Sequence, residues 1–246
     1  MKGNQGIDDG GQIGSLLGEF PLLVTAAHEL KAPLALVRQL ALSLESGIVD
    51  TDEQQRLLRQ ITLTSERALR LTADLSRSSR LQDSLFELEP VNPQQICEEV
   101  VSELAPLYAA RGRTIRVASR RRQMLAVANR DLLRRIILNF GDNALHYGAT
   151  DRPVELHAST YGRGTTIRIG VRDYGPALPS DAWRRLAASL GTSTQPLHSR
   201  PQSSGLGLYI AQQFARAMHG TVGATRHRDG VTFYVDVDGS TQLSLL

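Results

Sequence analysis

Four short stretches of the 246-residue chain hold side chains whose types and spacing can do chemistry. The first is Ala27-His28-Glu29-Leu30-Lys31-Ala32-Pro33-Leu34. His28 comes one residue after an apolar position of a helical seam, which puts its ring at the edge of the buried stripe, reachable from solvent. Glu29 follows on the outer face. Pro33, five residues after His28, clashes with the Glu29 carbonyl and removes a backbone donor, weakening the helix just past the histidine. The second stretch is Asn139-Phe140-Gly141-Asp142-Asn143-Ala144-Leu145-His146-Tyr147. Asn139 and Asn143 are four apart and share a helical face. Beside a phosphate site, two amide oxygens on one face could hold Mg²⁺, which takes hard oxygen ligands and keeps several waters. The third is Asp173-Tyr174-Gly175-Pro176-Ala177, at a strand end. There a carboxylate can accept a hydrogen bond from an exocyclic amine such as adenine's, and Gly175 lets the backbone approach the ring. The fourth is Ser203-Ser204-Gly205-Leu206-Gly207-Leu208, opening a helix whose exposed N–H groups can cradle phosphates.

Each stretch alone also has an ordinary structural explanation. The histidine fits a surface position, the asparagines fit helix-surface amides, the Asp-Gly pair fits a turn, and a lone Gly-x-Gly is common. Their order along the chain is what distinguishes them. His28-Glu29-Leu30-Lys31-Ala32-Pro33-Leu34 resembles the H box of sensor histidine kinases. The three later stretches resemble the N, G1 and G2 boxes of the GHKL-type ATP-binding fold that those kinases share with chaperone ATPases, type II topoisomerases and mismatch-repair proteins. The resemblance covers about residues 20 to 238. A chaperone or topoisomerase has no use for a heptad hairpin, and Asn139 stands where those families carry a catalytic Glu.

The resemblance implies autophosphorylation of His28 from ATP, then transfer to an aspartate of a response-regulator receiver domain. His28 is then the phosphoacceptor, and Glu29 the base or hydrogen-bond partner that keeps the attacking nitrogen unprotonated. Asn143 matches the Mg²⁺ ligand and Asn139 its helper at the γ-phosphate. His146 stands where a Lys commonly contacts phosphates, and Tyr147 packs along the nucleotide. Asp173 with Gly175 reads adenine. Gly205, Leu206 and Gly207 form the phosphate-facing end of a lid spanning residues 178–204. The implied cofactors are ATP and Mg²⁺, and the implied partners are a second copy, a receiver domain and a separate sensor protein. Three departures from the pattern stand out, and the last two point toward a degenerate kinase that serves as a dimeric docking scaffold. Ala32 replaces the polar residue four after the histidine that positions water for phosphatase action, so weak phosphatase activity is expected. Ala177 replaces the second glycine of G1, which costs roughly 1–2 kcal/mol if that backbone is left-handed. Trp183 to Gly191 contains no Phe, so a recognisable F box is missing.

The elements that must position these groups follow from apolar periodicity. Residues 1–15 are rich in Gly, Asp and Gln and are expected as a disordered or linker segment. Phe20, Leu23, Ala27, Leu30, Leu34, Val37, Ala41 and Leu44 form a heptad seam in a first helix running to about Ser46. Thr51 with Gln54 resembles a capping box that opens a second helix, with a seam through Leu57, Ile61, Thr64, Ala68, Leu71 and Leu75. Two such helices on a short turn make an antiparallel hairpin, and a homodimer would complete a four-helix bundle. Residues 16–85 are therefore read as a dimerisation and phosphotransfer domain. After a break at 82–92, residues 86–240 read as the catalytic ATP-binding domain. This second part has helices near 93–111, 130–147 and 206–219. Its strands are near 114–117, 124–128, 154–160, 165–172, 221–227 and 231–237. The fold class is α+β: a helical hairpin followed by an α/β sandwich with helices on one face.

Composition narrows the alternatives. The formal charge of +3 and the lack of aromatics beside Arg120-Arg121-Arg122 argue against nucleic acid as a partner. One cysteine, Cys97, excludes a disulfide framework within one chain. No stretch reaches the roughly 20 apolar residues of a membrane span, so a cytoplasmic location is expected.

Overall fold

The computed structural model describes residues 10–47, 50–79, 81, 86–118, 124–147, 151–162, 165–177, 179–190 and 206–240, without the side chains of residues 10–23, 79, 146 and 147. Helix α1 (Gly10–Glu45) and helix α2 (Thr51–Ser79) form the hairpin. α1 begins inside the stretch expected as linker. It also runs unbroken through Pro33. The cap of α2 is Asp50 rather than Thr51: its carboxylate accepts the Glu53 N–H at 2.8 Å. Asp outcompetes Thr at this position.

The seam of α1 is shifted from the expected one. Ala26 and Leu40 are buried, and Leu30, Pro33, Val37 and Leu44 are half-buried, a strict four-three alternation. Ala27 and Leu34 face solvent instead. α1 carries apolar residues all round, so two stripes fit its sequence and α2 covers only one of them. Val24, Leu34 and Leu42 on α1, with Leu58 and Leu69 on α2, stay exposed. The α2 seam lies as expected, with Leu57 buried and its companions half-buried. No helix among the described residues is long and apolar enough to cross a membrane.

The remaining elements are β1 (Glu89–Val91), α3 (Pro93–Ala109), β2 (Ile115–Val117), β3 (Ala126–Ala128), α4 (Arg130–Tyr147), β4 (Val154–Tyr161), β5 (Thr166–Tyr174), α5 (Ser180–Ser189), α6 (Leu206–Ala217), β6 (Thr221–His227) and β7 (Gly230–Asp238). Five strands make one sheet in the order β2-β4-β5-β7-β6, with only the β2–β4 pair parallel. Along β5, Ile167, Ile169, Val171 and Asp173 are buried, while Arg168 and Arg172 alternate on the other face. Val171 lies opposite Phe233 of β7, whose ring meets Phe140 of α4 with centroids 6.0 Å apart. The apolar side is therefore the helix-covered side. On the other side Arg168 stacks between Tyr161 and Tyr234 and grips Asp236 with two 2.7 Å bonds, so that face satisfies its own charges.

Two elements escaped the periodicity reading. β1 has three residues and lies in the expected break; it exists because β3 pairs with it. α5 lies within residues 178–204, which read as loop. Its Trp183 and Leu186, with Leu190 at its C-terminal cap, recur at helical spacing and pack on the core. The rest of that segment, residues 191–204, lies outside the described residues.

Ion pairs fasten the hairpin to the α/β unit. Arg70 of α2 reaches Glu103 of α3 at 3.3 Å, and Glu103 also binds Arg134 of α4. Arg135 of α4 binds Asp74 of α2 and lies 3.3 Å from Asp131, which Arg77 of α2 also holds. Burial pushes the Asp74 carboxyl above the usual carboxylate range, against the pull of Arg135. Removing one partner of a buried pair strands the other, though Arg135 keeps Asp131. Asp74→Ala is thus expected to lower stability by about 1–2 kcal/mol, visible as a lower midpoint in urea denaturation.

Candidate active site

The site is built on α4. Asn129 caps this helix by accepting the Leu132 N–H at 3.1 Å. Leu132, Leu133, Ile136, Ile137, Phe140 and Ala144 bury one face in the core. Asn139 and Asn143, one turn apart, emerge half-buried at the edge of that face. Two buried residues before β3 lock the helix in place. The Tyr108 hydroxyl donates to the Gly141 carbonyl at 2.7 Å, and burial pushes its pKa up. The Arg113 guanidinium donates to the Ala144 carbonyl at 2.8 Å, in the last turn, where a cation also suits the helix dipole.

The start of α6 lies directly against the two amides. A Cβ built on Gly207 would stand 3.9 Å from Asn139 Oδ1 and 3.9 Å from Asn143 Nδ2. Glycine at 207 keeps a side chain out of the space between the start of α6 and the two amides. Asn139 Nδ2 is buried without a hydrogen-bond partner. A polar hollow with an unsatisfied amide, next to a helix N-terminus, suits phosphate oxygens.

From here a cavity of about 530 Å³ opens between the hairpin and the α/β unit. Glu29, Ala32 and Leu36 of α1 line one side, and Asn139, Asn143 and Gly207 line the other. The structure thus brings Glu29, Asn139, Asn143 and Gly207 to one hollow. His28 is exposed and outside this lining, its ring accessible as expected. Leu206 is buried in the core rather than facing the cavity.

Asp173 also stands off the cavity lining, buried at the end of β5 on the helix-covered face. Its Oδ1 accepts the Val231 N–H at 3.1 Å. Gly230 has φ +130°, and a Cβ there would fall 2.2 Å from the Asp173 carbonyl oxygen, so this strand approach demands glycine. The Gly175 N–H donates to the Asp229 carbonyl at 3.2 Å. Among the described residues His219 is the one left-handed non-glycine, so Ala177 carries no such strain. Gly205 and the side chains of His146 and Tyr147 lie outside the described residues.

Charged lining residues were missed from sequence, among them Arg67, Arg70, Arg111 and Asp142. Burial pushes the Asp142 carboxyl up, opposed by the charges of Arg67 and Arg70. The available signal was Arg67 and Arg70 flanking seam residue Ala68, on the edge of the stripe. Among the described residues no cluster of three His, Cys, Asp or Glu could hold a metal ion. A divalent cation here would therefore depend on amide oxygen together with phosphate, and the Asn143 amide beside the open Gly207 hollow fits that donor set.

Residues 128–240 match the family described as histidine kinase-, DNA gyrase B-, and HSP90-like ATPase. The sensor protein kinase PmrB of Pseudomonas aeruginosa is 31% identical over 229 residues, covering 91% of this chain and 46% of that protein. The chain thus spans about half the length of this curated relative. Among solved structures, the histidine kinase ThkA in complex with response regulator protein TrrA superposes with TM-score 0.62 at 15% identity, over 94% of this chain and 64% of that one. Full-length ShkA in complex with AMPPNP gives TM-score 0.59 at 22% identity, over 96% of this chain and 47% of the other. At these identities the two structures speak for the fold.

Proposed function

Because this chain belongs to the sensor histidine kinases, with their GHKL-type ATPase fold, we propose that it binds ATP with Mg²⁺, phosphorylates itself on His28 and passes the phosphoryl group to an aspartate of a response-regulator receiver domain. The observation that carries this is the shared hollow: Glu29, next to His28, faces Asn139, Asn143 and Gly207 across one cavity. The nucleotide complex of ShkA and the regulator complex of ThkA lend support through fold likeness.

Residues 16–85 serve as the dimerisation and phosphotransfer part and residues 86–240 as the ATP-binding part. The adenine amine donates to the Asp173 carboxylate, and Gly175 leaves room for the ring. The triphosphate runs toward Gly205 and Gly207, with His146 and Tyr147 beside it. Asn143 would hold Mg²⁺, with Asn139 completing the polar wall, and the cation would supply charge neutralisation of the triphosphate. The neutral imidazole of His28 attacks the γ-phosphorus. A P–N bond forms, the bond to the bridging oxygen breaks, and ADP leaves with that electron pair. Glu29 takes the proton from the ring. His28 stands about 100° around α1 from Glu29, so delivery requires the α/β unit to shift around the hairpin.

A second copy of the hairpin covers Val24, Leu34 and Leu42 of α1 with Leu58 and Leu69 of α2, completing a four-helix bundle. The buried Cys97 thiol, pushed up to about 12 by desolvation, is inert and suits a reducing, cytoplasmic setting. The test is incubation with γ-labelled ATP and Mg²⁺. The expected product is an acid-labile, base-stable label on the peptide that carries His28. An unlabelled chain, or an acid-stable label, would overturn the kinase assignment, and an unlabelled chain that still dimerises would be a docking scaffold.

A further inference from the structure

The mechanism above leaves three basic residues of the cavity lining unused. The same lining that holds Glu29 and the two asparagines also includes Arg67 and Arg70 from α2 and Arg111 just past α3. Two other arginines in the cavity wall are engaged: Arg134 with Glu103, and Arg135 with Asp74. Arg70 spends one nitrogen on Glu103 at 3.3 Å, while its Nη2 is buried with no partner. Arg111 is close enough to Arg67 that, after burial, the Arg67 charge is the next cause holding its pKa below the usual value. The carboxylates of this lining are Glu29, Asp74, Glu103 and Asp142, of which Glu103 and Asp74 are paired as above. Crowded guanidinium groups with an unsatisfied donor, lining an open hollow, are the arrangement that receives a multiply charged anion.

Resting on the kinase function above, we propose that Arg67, backed by Arg70 and Arg111, grips the terminal phosphate of the bound nucleotide and neutralises the phosphoryl group on its way to His28. Arg67 gives and takes no proton and forms no bond; the bonds made and broken are those already described. Its place on α2 has a consequence. The phosphate end of the site is complete only while the hairpin is docked on the α/β unit, so ATP held by an undocked unit lacks this cation.

The test separates the terminal phosphate from the rest of the nucleotide. In Arg67→Met, ATP affinity is expected to fall about tenfold with ADP affinity unchanged, and autophosphorylation to fall about a hundredfold. Arg67→Lys is expected to recover part of both losses. Equal losses of ATP and ADP binding, or phosphorylation at the wild-type rate, would overturn the proposal. Should the Met variant fail to fold, Arg67→Gln takes its place in the same comparison. A wild-type protein that binds ATP yet takes no label would count against the kinase function. The ATP-against-ADP comparison would still decide the role of Arg67.

Discussion

Replacing His28 with Gln is expected to abolish the acid-labile label, to below about a thousandth of the wild-type level. A side-chain amide offers no nucleophilic nitrogen, because its lone pair is delocalised into the carbonyl, so the variant has no route to a P–N bond. The loss is interpretable because of where His28 sits. It is exposed on α1, outside the cavity lining and outside the seam that α2 covers. Gln is a good helix former, and an exposed substitution of this kind shifts stability by no more than about 0.5 kcal/mol. Nucleotide affinity is therefore expected to match wild type, since Asn139, Asn143, Asp173 and Gly207 are untouched. A variant that binds ATP normally and takes no label identifies His28 as the acceptor. A variant that keeps an acid-labile label would place the acceptor elsewhere on the chain.

What the sequence made legible and what it did not divide along a physical line. Motifs whose function depends on residues close in sequence were readable: Asn139 and Asn143 lie on one helix face, Asp173 ends a strand, and Gly207 opens a helix. The register of α1 was not. A helix that is apolar all round fits two heptad frames equally, and the choice between Ala26-Leu40 and Ala27-Leu34 depends on which face α2 takes. β1 was invisible because three residues carry no period and its pairing with β3 is non-local. α5 was hidden by the Pro and Gly at its margins, although Trp183, Leu186 and Leu190 carried a helical spacing. The arginines of the cavity were missed for a different reason. Arg67 and Arg70 read as the solvated edge of an amphipathic helix, and only the docking of the α/β unit turns that edge into a wall.

Asp173→Ala is expected to damage nucleotide binding and folding together, and the conservative variant separates the two. The carboxylate is buried, and its Oδ1 accepts the Val231 N–H at 3.1 Å. Truncation leaves that N–H buried without a partner, at a cost of about 1–3 kcal/mol. It also removes the proposed acceptor for the adenine amine. A hydrogen bond to a charged group contributes roughly 1.5–3 kcal/mol, so ATP affinity is expected to fall by about tenfold to a hundredfold. Asp173→Asn keeps an amide oxygen that can still accept from Val231, so its unfolding midpoint should stay near wild type while ATP affinity drops. Guanine supplies the cleaner contrast. It presents a carbonyl where adenine presents the amine, and a carboxylate repels a carbonyl. Wild type is therefore expected to favour ATP over GTP, and Asp173→Ala to flatten that preference by weakening ATP alone. If the Ala variant unfolds more easily yet discriminates between the two nucleotides as wild type does, Asp173 is a tie between β5 and β7, and base selection belongs to another group.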